Sequence, residues 1–152
     1  MRIVALAILV FASIAGVIGQ DKAQAKPPPI SSLIDSFHWQ GGDQANALLD
    51  HLMINILNNP ASRGYIIFYC GKKCFYGEHE AHVIGVREAL AFRRYNTDLV
   101  SVVFGGFREQ ATTEFWLVPD KACPPETHPT LGTDKITLVR SRKKVLRPYW
   151  CC

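Results

Sequence analysis

Five cysteines, five histidines and a scatter of basic residues carry most of the chemistry open to this 152-residue chain. Cys70-Gly-Lys-Lys-Cys74 is the tightest grouping. Three intervening residues let the two sulfurs close a small ring, so Cys70 and Cys74 are a candidate disulfide. The spacing is not the Cys-x-x-Cys of redox or zinc motifs, and redox catalysis is not expected. Cys123, Cys151 and Cys152 make the count odd, which leaves at least one thiol free or paired to another molecule. The vicinal pair at the end of the sequence could crosslink chains.

Gly77-Glu-His-Glu-Ala-His82 places His79 and His82 at i and i+3, on one side of a helix. Zinc takes three or four ligands, and the metalloprotease form His-Glu-x-x-His is one residue longer, so no metal is expected. The plainer reading is a polar first turn, with Glu78 and Glu80 favoured by the helix dipole. No serine stands in Gly-x-Ser-x-Gly, and no cysteine has a recognised nucleophile context. Glu109 and Glu114 are paired carboxylates, solvated charges on a hairpin, or partners of Arg108 in salt bridges. Gly41-Gly42 and Gly105-Gly106 are turn glycines without the Lys-Ser/Thr of a phosphate loop. The expectation is a protein that is not an enzyme and needs no cofactor.

The elements that position these residues follow from periodicity. Residues 32–39 can form a short strand. From Asp43 to Leu57, Ala45, Leu48, Leu49, Leu52 and Ile56 fall on one helical stripe, ended by Asn58-Asn59-Pro60. Tyr65 to Tyr69 is a continuous apolar run between glycines, the pattern of a strand covered on both faces. Glu78 to Arg94 reads as a second helix, with Val83, Val86 and Leu90 as its stripe and Ala81, Ile84 and Ala89 beside it. Leu99–Phe104 and Thr112–Val118 are further strands, expected to pair as an antiparallel hairpin. Lys135 to Val139 is a weak strand or a loose arm. The fold class is therefore α+β or α/β, a two-layer sandwich. Its mixed sheet has about four strands with two helices, in the order β-α-β-α-β-β. Lys72, Lys73 and Arg108 then lie just beyond the carboxyl ends of two parallel strands, the edge where open α/β sheets take ligands. They are a candidate anion or carboxylate site; the alternative is three solvated loop charges.

The ends of the sequence set the compartment and the charge. Met1-Arg2 followed by an apolar run from Ile3 to Ile18 reads as a signal peptide over 1–19, with a cut before Gln20 or nearer Ala25. An uncleaved N-terminal anchor is the alternative. Export would allow disulfides to persist. A proline-rich linker follows over 20–31, and the folded domain spans 32–119. The formal charge is +4. Residues 20–118 hold nine Lys/Arg against ten Asp/Glu, while 119–152 hold seven against three, so the basic character belongs to the tail over 120–152. Arg140-Ser-Arg-Lys-Lys-Val-Leu-Arg147 with Tyr149-Trp150 suits an anionic surface, as peripheral membrane contact, or serves only solubility. An exported chain rarely meets nucleic acid, and none is expected as a partner.

Over roughly 33–118 the element order and several phrases resemble the OmpA-like domain of bacterial envelope proteins. The phrases are Asn59-Pro60 after the first helix, the buried strand Tyr65–Tyr69, Val86 to Leu90 in the second helix and the turn Tyr95-Asn96-Thr97-Asp98. Val102-Val-Phe-Gly-Gly-Phe-Arg-Glu109 and Glu114 complete the set. The resemblance implies a periplasmic or envelope location and a peptidoglycan partner, clamped through its diaminopimelate by an aspartate and an arginine. Here the loop after Tyr69 carries no acid, and His82 stands where the resemblance places the arginine. The ligand loop expected instead is Lys72, Lys73, His82 and Arg108, for peptidoglycan or another anionic envelope component. The other classes are a disulfide-crosslinked structural or interaction protein and a small secreted hydrolase.

Overall fold

The computed structural model describes residues 28–38 and 42–140. The expected signal peptide, the linker up to residue 27, and the tail from 141, including Cys151 and Cys152, lie outside the described residues.

The chain forms β1 (Ser32–His38), α1 (Gly42–Asn58), β2 (Ser62–Cys70), β3 (Lys73–Phe75), α2 (Glu78–Phe92), β4 (Val100–Phe107), β5 (Thr112–Pro119) and β6 (Thr137–Val139). A mixed four-stranded sheet with two helices results, as the periodicity predicts. Its order is β1-β5-β2-β4, with β2 parallel to β4 and β5 antiparallel to both neighbours.

One pairing differs from expectation. β4 and β5 are not a hairpin, because β2 lies between them. Residues 108–111 carry the chain across the end of β2 instead. The reason is burial. Ile66, Ile67, Phe68, Tyr69 and Cys70 are all nearly inaccessible, so β2 needs neighbours on both edges. A β4–β5 hairpin would leave one edge of that strand unpaired.

Both crossovers, β1-α1-β2 and β2-α2-β4, step the same way across the sheet. With one hand they place both helices on one face. That face receives Ile66 and Phe115, packed with Leu49, Leu52, Ile56, Val86 and Leu90. Gly64 is pressed under α1, since a Cβ there would meet Leu52 at 2.9 Å. The buried stripe of α2 is His82, Gly85, Val86, Ala89 and Leu90. It is rotated from the expected one: Val83 is only half-buried and Ile84 is exposed. The flat His82 ring lies on Phe68, at a centroid distance of 3.9 Å, and brings its own side of the helix down onto the sheet. Arg94, in the left-handed region at φ 58°, ends α2. The Tyr95 amide then reaches back to the Leu90 carbonyl at 2.9 Å, as in a Schellman motif.

The opposite face, with Tyr65, Ile67 and Tyr69 along β2, carries no helix among the described residues. The segment after β5 runs back toward the Cys70 end of the sheet and helps cover this face. His128 donates its amide to the Tyr69 hydroxyl at 3.0 Å. The amides of Thr130 and Leu131 both bond to the Phe107 carbonyl, at 2.9 and 3.0 Å. β6 then pairs in parallel with β3. Residues 120–140 are therefore a strap laid against the domain.

Candidate functional site

Where β2 ends, the chain turns through Gly71-Lys72 into the short β3, and Cys70 and Cys74 are joined in a disulfide with a Cα separation of 5.6 Å. The ring pins β3 beside the end of the central strand. β6 adds to β3 through the Thr137 amide on the Lys72 carbonyl at 2.8 Å. Both sulfurs sit in a small apolar cluster with Phe68, bordered by Phe107 and Ala111. Lys72 and Lys73 face solvent from this pinned loop. Lys72 makes an open ion pair with Glu109 at 3.7 Å.

Glu78, the first residue of α2, reaches under the same ring. Its Oε2 accepts the Phe75 amide at 2.7 Å and lies 3.3 Å from Sγ of Cys70. Burial pushes the Glu78 carboxyl above the usual glutamate range, against the opposing pull of the Phe75 hydrogen bond. Cys70, Cys74 and Glu78 also form the one group of three potential metal ligands among the described residues. Two of the three are consumed by the disulfide.

On the helix-free face a second polar group forms. The Arg108 guanidinium lies 3.4 Å over the centre of the Tyr69 ring, and its Nη2 is 2.8 Å from Oε1 of Glu114. Glu114 also accepts from Trp116 Nε1 at 3.1 Å and from the Tyr69 hydroxyl at 3.4 Å. Nε of Arg108 donates to the His128 carbonyl of the strap at 3.2 Å. The Tyr69 phenol is raised above its ordinary value, first by burial and then, against the His128 hydrogen bond, by the Glu114 charge. This network fixes the strap to the sheet.

The four residues expected to form one anion loop are therefore separated. Lys72 and Lys73 share the disulfide loop. Arg108 is held by Glu114 and the strap on the helix-free face, because a guanidinium beside a buried carboxylate is drawn into it rather than into solvent. His82 is in the core on the other face. Burial, followed by the nearby His79, lowers its pKa to about 4. The salt bridge between Arg108 and Glu114 is one of the three arrangements that the sequence leaves open for Glu114.

Sequence reasoning missed Glu78 against the disulfide and the joining of Tyr69, Trp116 and His128 to Glu114. A signal existed for the second: Glu114 interrupts an otherwise apolar strand, and a charge there needs a partner. For the first, the nearness of Glu78 to Cys74 in sequence was the available sign.

Cys123 is a free, exposed thiol on the strap. It borders a cleft with Trp116, Pro28 and His128.

Compared with protein-family models, curated proteins and solved structures, the chain matches none.

Proposed function

We propose that the protein is an exported, non-catalytic binding module of the bacterial cell envelope. In this reading it has an OmpA-like architecture and takes an anionic wall or envelope component at the Lys72–Lys73 loop. The observation that carries the reading is the pinned loop: the disulfide fixes Lys72 and Lys73, both exposed, at the carboxyl end of the parallel pair β2–β4. Two ammonium groups on a fixed turn suit carboxylates of a polymer, which bring many weak contacts at once. The element order supports the OmpA-like part of the reading, and the disulfide supports export to an oxidising compartment. His82 and Arg108, expected beside the two lysines, are not part of this proposal, since His82 is buried and Arg108 is held by Glu114.

The experiment is sedimentation with intact peptidoglycan sacculi. It compares the mature chain, a Lys72→Ala/Lys73→Ala variant and a chain ending at Arg140. Retention of the first and third, with loss of the second, is the expected result. Loss confined to the shortened chain would move binding to the basic residues beyond 140. Failure of all three to sediment would remove the wall reading.

A second reading, covalent assembly, is favoured by the exposed free thiol of Cys123. Dimers on a non-reducing gel that vanish in Cys123→Ser would support it.

A further inference from the structure

We propose that the Cys70–Cys74 bond is a thiol–disulfide exchange site for an anionic dithiol, in which Glu78 passes a proton to and from the Cys70 sulfur. A purely structural staple needs no carboxyl against its sulfur. Here Oε2 of Glu78 is 3.3 Å from Sγ of Cys70, and the side chain reaches that place from the first turn of a different element. A disulfide sulfur carries no proton. The contact is favourable when the proton is on the carboxyl, and burial of Glu78 acts in that direction.

The two sulfurs differ in access. Cys70 is fully enclosed, and Cys74 is 7% exposed between two exposed neighbours, Lys73 and Phe75. An incoming thiolate therefore meets Cys74 first, beside the ammonium groups of Lys72 and Lys73. It attacks Sγ of Cys74. The S–S bond breaks, and its electron pair leaves on Sγ of Cys70. A thiolate in that apolar pocket, next to a carboxyl group, is costly without a proton. The Glu78 carboxyl supplies the proton. The second thiolate of the substrate then attacks its own sulfur in the mixed disulfide and releases Cys74, which is protonated from water. The substrate leaves as a disulfide, oxidised by two electrons, and the protein holds two thiols. Glu78 regains its proton from solvent. In the reverse direction the Glu78 carboxylate removes the Cys70 proton.

The titratable and charged residues on the elements around Glu78 are Lys72 and Lys73 on the loop, Tyr76 before α2, His79, Glu80, His82, Arg87 and Glu88 on its own helix, and Arg108 and Glu109 after β4, Glu109 being paired with Lys72. Arg140, whose guanidinium is 5.9 Å from the Tyr76 ring centre, follows β6. Arg108 is already neutralised by Glu114.

The test uses the oxidised full chain with its free thiols blocked. Reduction by dithiothreitol and by dihydrolipoate is followed between about pH 5 and pH 8 by alkylation and mass spectrometry, and rates are divided by the thiolate concentration. For the native chain the normalised rate should fall with rising pH as Glu78 ionises. Glu78→Gln keeps an oxygen acceptor for the Phe75 amide but has no acidic proton. Its profile should be flat, and at the acidic end at least about tenfold slower. A Glu78→Gln profile that matches the native one overturns the proposal, and so does a bond that opens only in denaturant. Lys72→Ala/Lys73→Ala should slow the anionic dihydrolipoate more than the uncharged dithiothreitol; equal effects on both overturn the preference for an anionic substrate.

Discussion

The guanidinium of Arg108 spans two partners at once, stacked 3.4 Å over the Tyr69 ring and 2.8 Å from the Glu114 carboxylate, on the sheet face opposite α1 and α2. A charge pair in that position is costly to halve. Arg108 and Glu114 keep only 19% and 10% of their side-chain surface in solvent. Removing one member of a buried pair costs about 3–5 kcal/mol, and the partial exposure lowers the expectation for Arg108→Met to about 2–3 kcal/mol. Glu114→Gln combined with Arg108→Met should be less destabilised than the two single effects summed. Urea denaturation of the four proteins measures this. Simple additivity would mean that the pair contributes nothing as a pair.

Gly105 in β4 sits against the same face. A Cβ placed there would lie 2.5 Å from Cε1 of Tyr69 and 2.6 Å from Cγ2 of Ile67. Both neighbours are buried, so neither can swing aside freely. Gly105→Ala is expected to cost about 1–3 kcal/mol by overpacking. A neutral substitution in thermal unfolding would show that β4 can slide away from β2.

Periodicity made the helices and strands legible, because Leu49, Leu52 and Ile56 mark one face of α1 and Tyr65–Tyr69 is a short apolar run between Gly64 and Gly71, the pattern of a covered strand. Sheet order was less legible. The short connection after Phe107 suggests a hairpin, and only the need to pair both edges of β2 argues against it. The candidate site was legible as far as neighbours in sequence go. Spacing marks Cys70 with Cys74 as a candidate ring, and the structure closes it. Lys72, His82 and Arg108 look like one loop on paper, yet the sheet puts His82 and Arg108 on opposite faces. Long-range partners such as His128 and Tyr69 leave no local periodic trace.

The strap gives a prediction about truncation. A chain ending at Pro119 loses the His128 and Leu131 contacts and uncovers Tyr69 and Glu114. A chain ending at Arg140 keeps every contact described for the strap. The first is expected to bind a hydrophobic dye and unfold at lower urea than the second. Equal midpoints for the two would mean that residues 120–140 add nothing to stability.

Stability should also depend on pH through His82. Its folded pKa is about 4 against an ordinary value of 6.5, with burial as the first cause. Between those values the unfolded chain binds a proton that the folded chain refuses. Stability therefore falls as pH is lowered through that window, and it is fully present above it. By linkage the whole effect is about 3 kcal/mol. Glu78 opposes it, since a raised carboxyl pKa stabilises the fold at low pH and that stabilisation is lost as pH rises through its folded value. A comparison with His82→Phe separates the two, because Glu78 titrates in both proteins. Phenylalanine can take the same place on Phe68 and has no proton to gain. Urea midpoints measured from about pH 4 to pH 7 should fall more steeply toward acid in the native chain than in His82→Phe. Parallel curves would mean that His82 accepts its proton in the folded core as readily as in the unfolded chain.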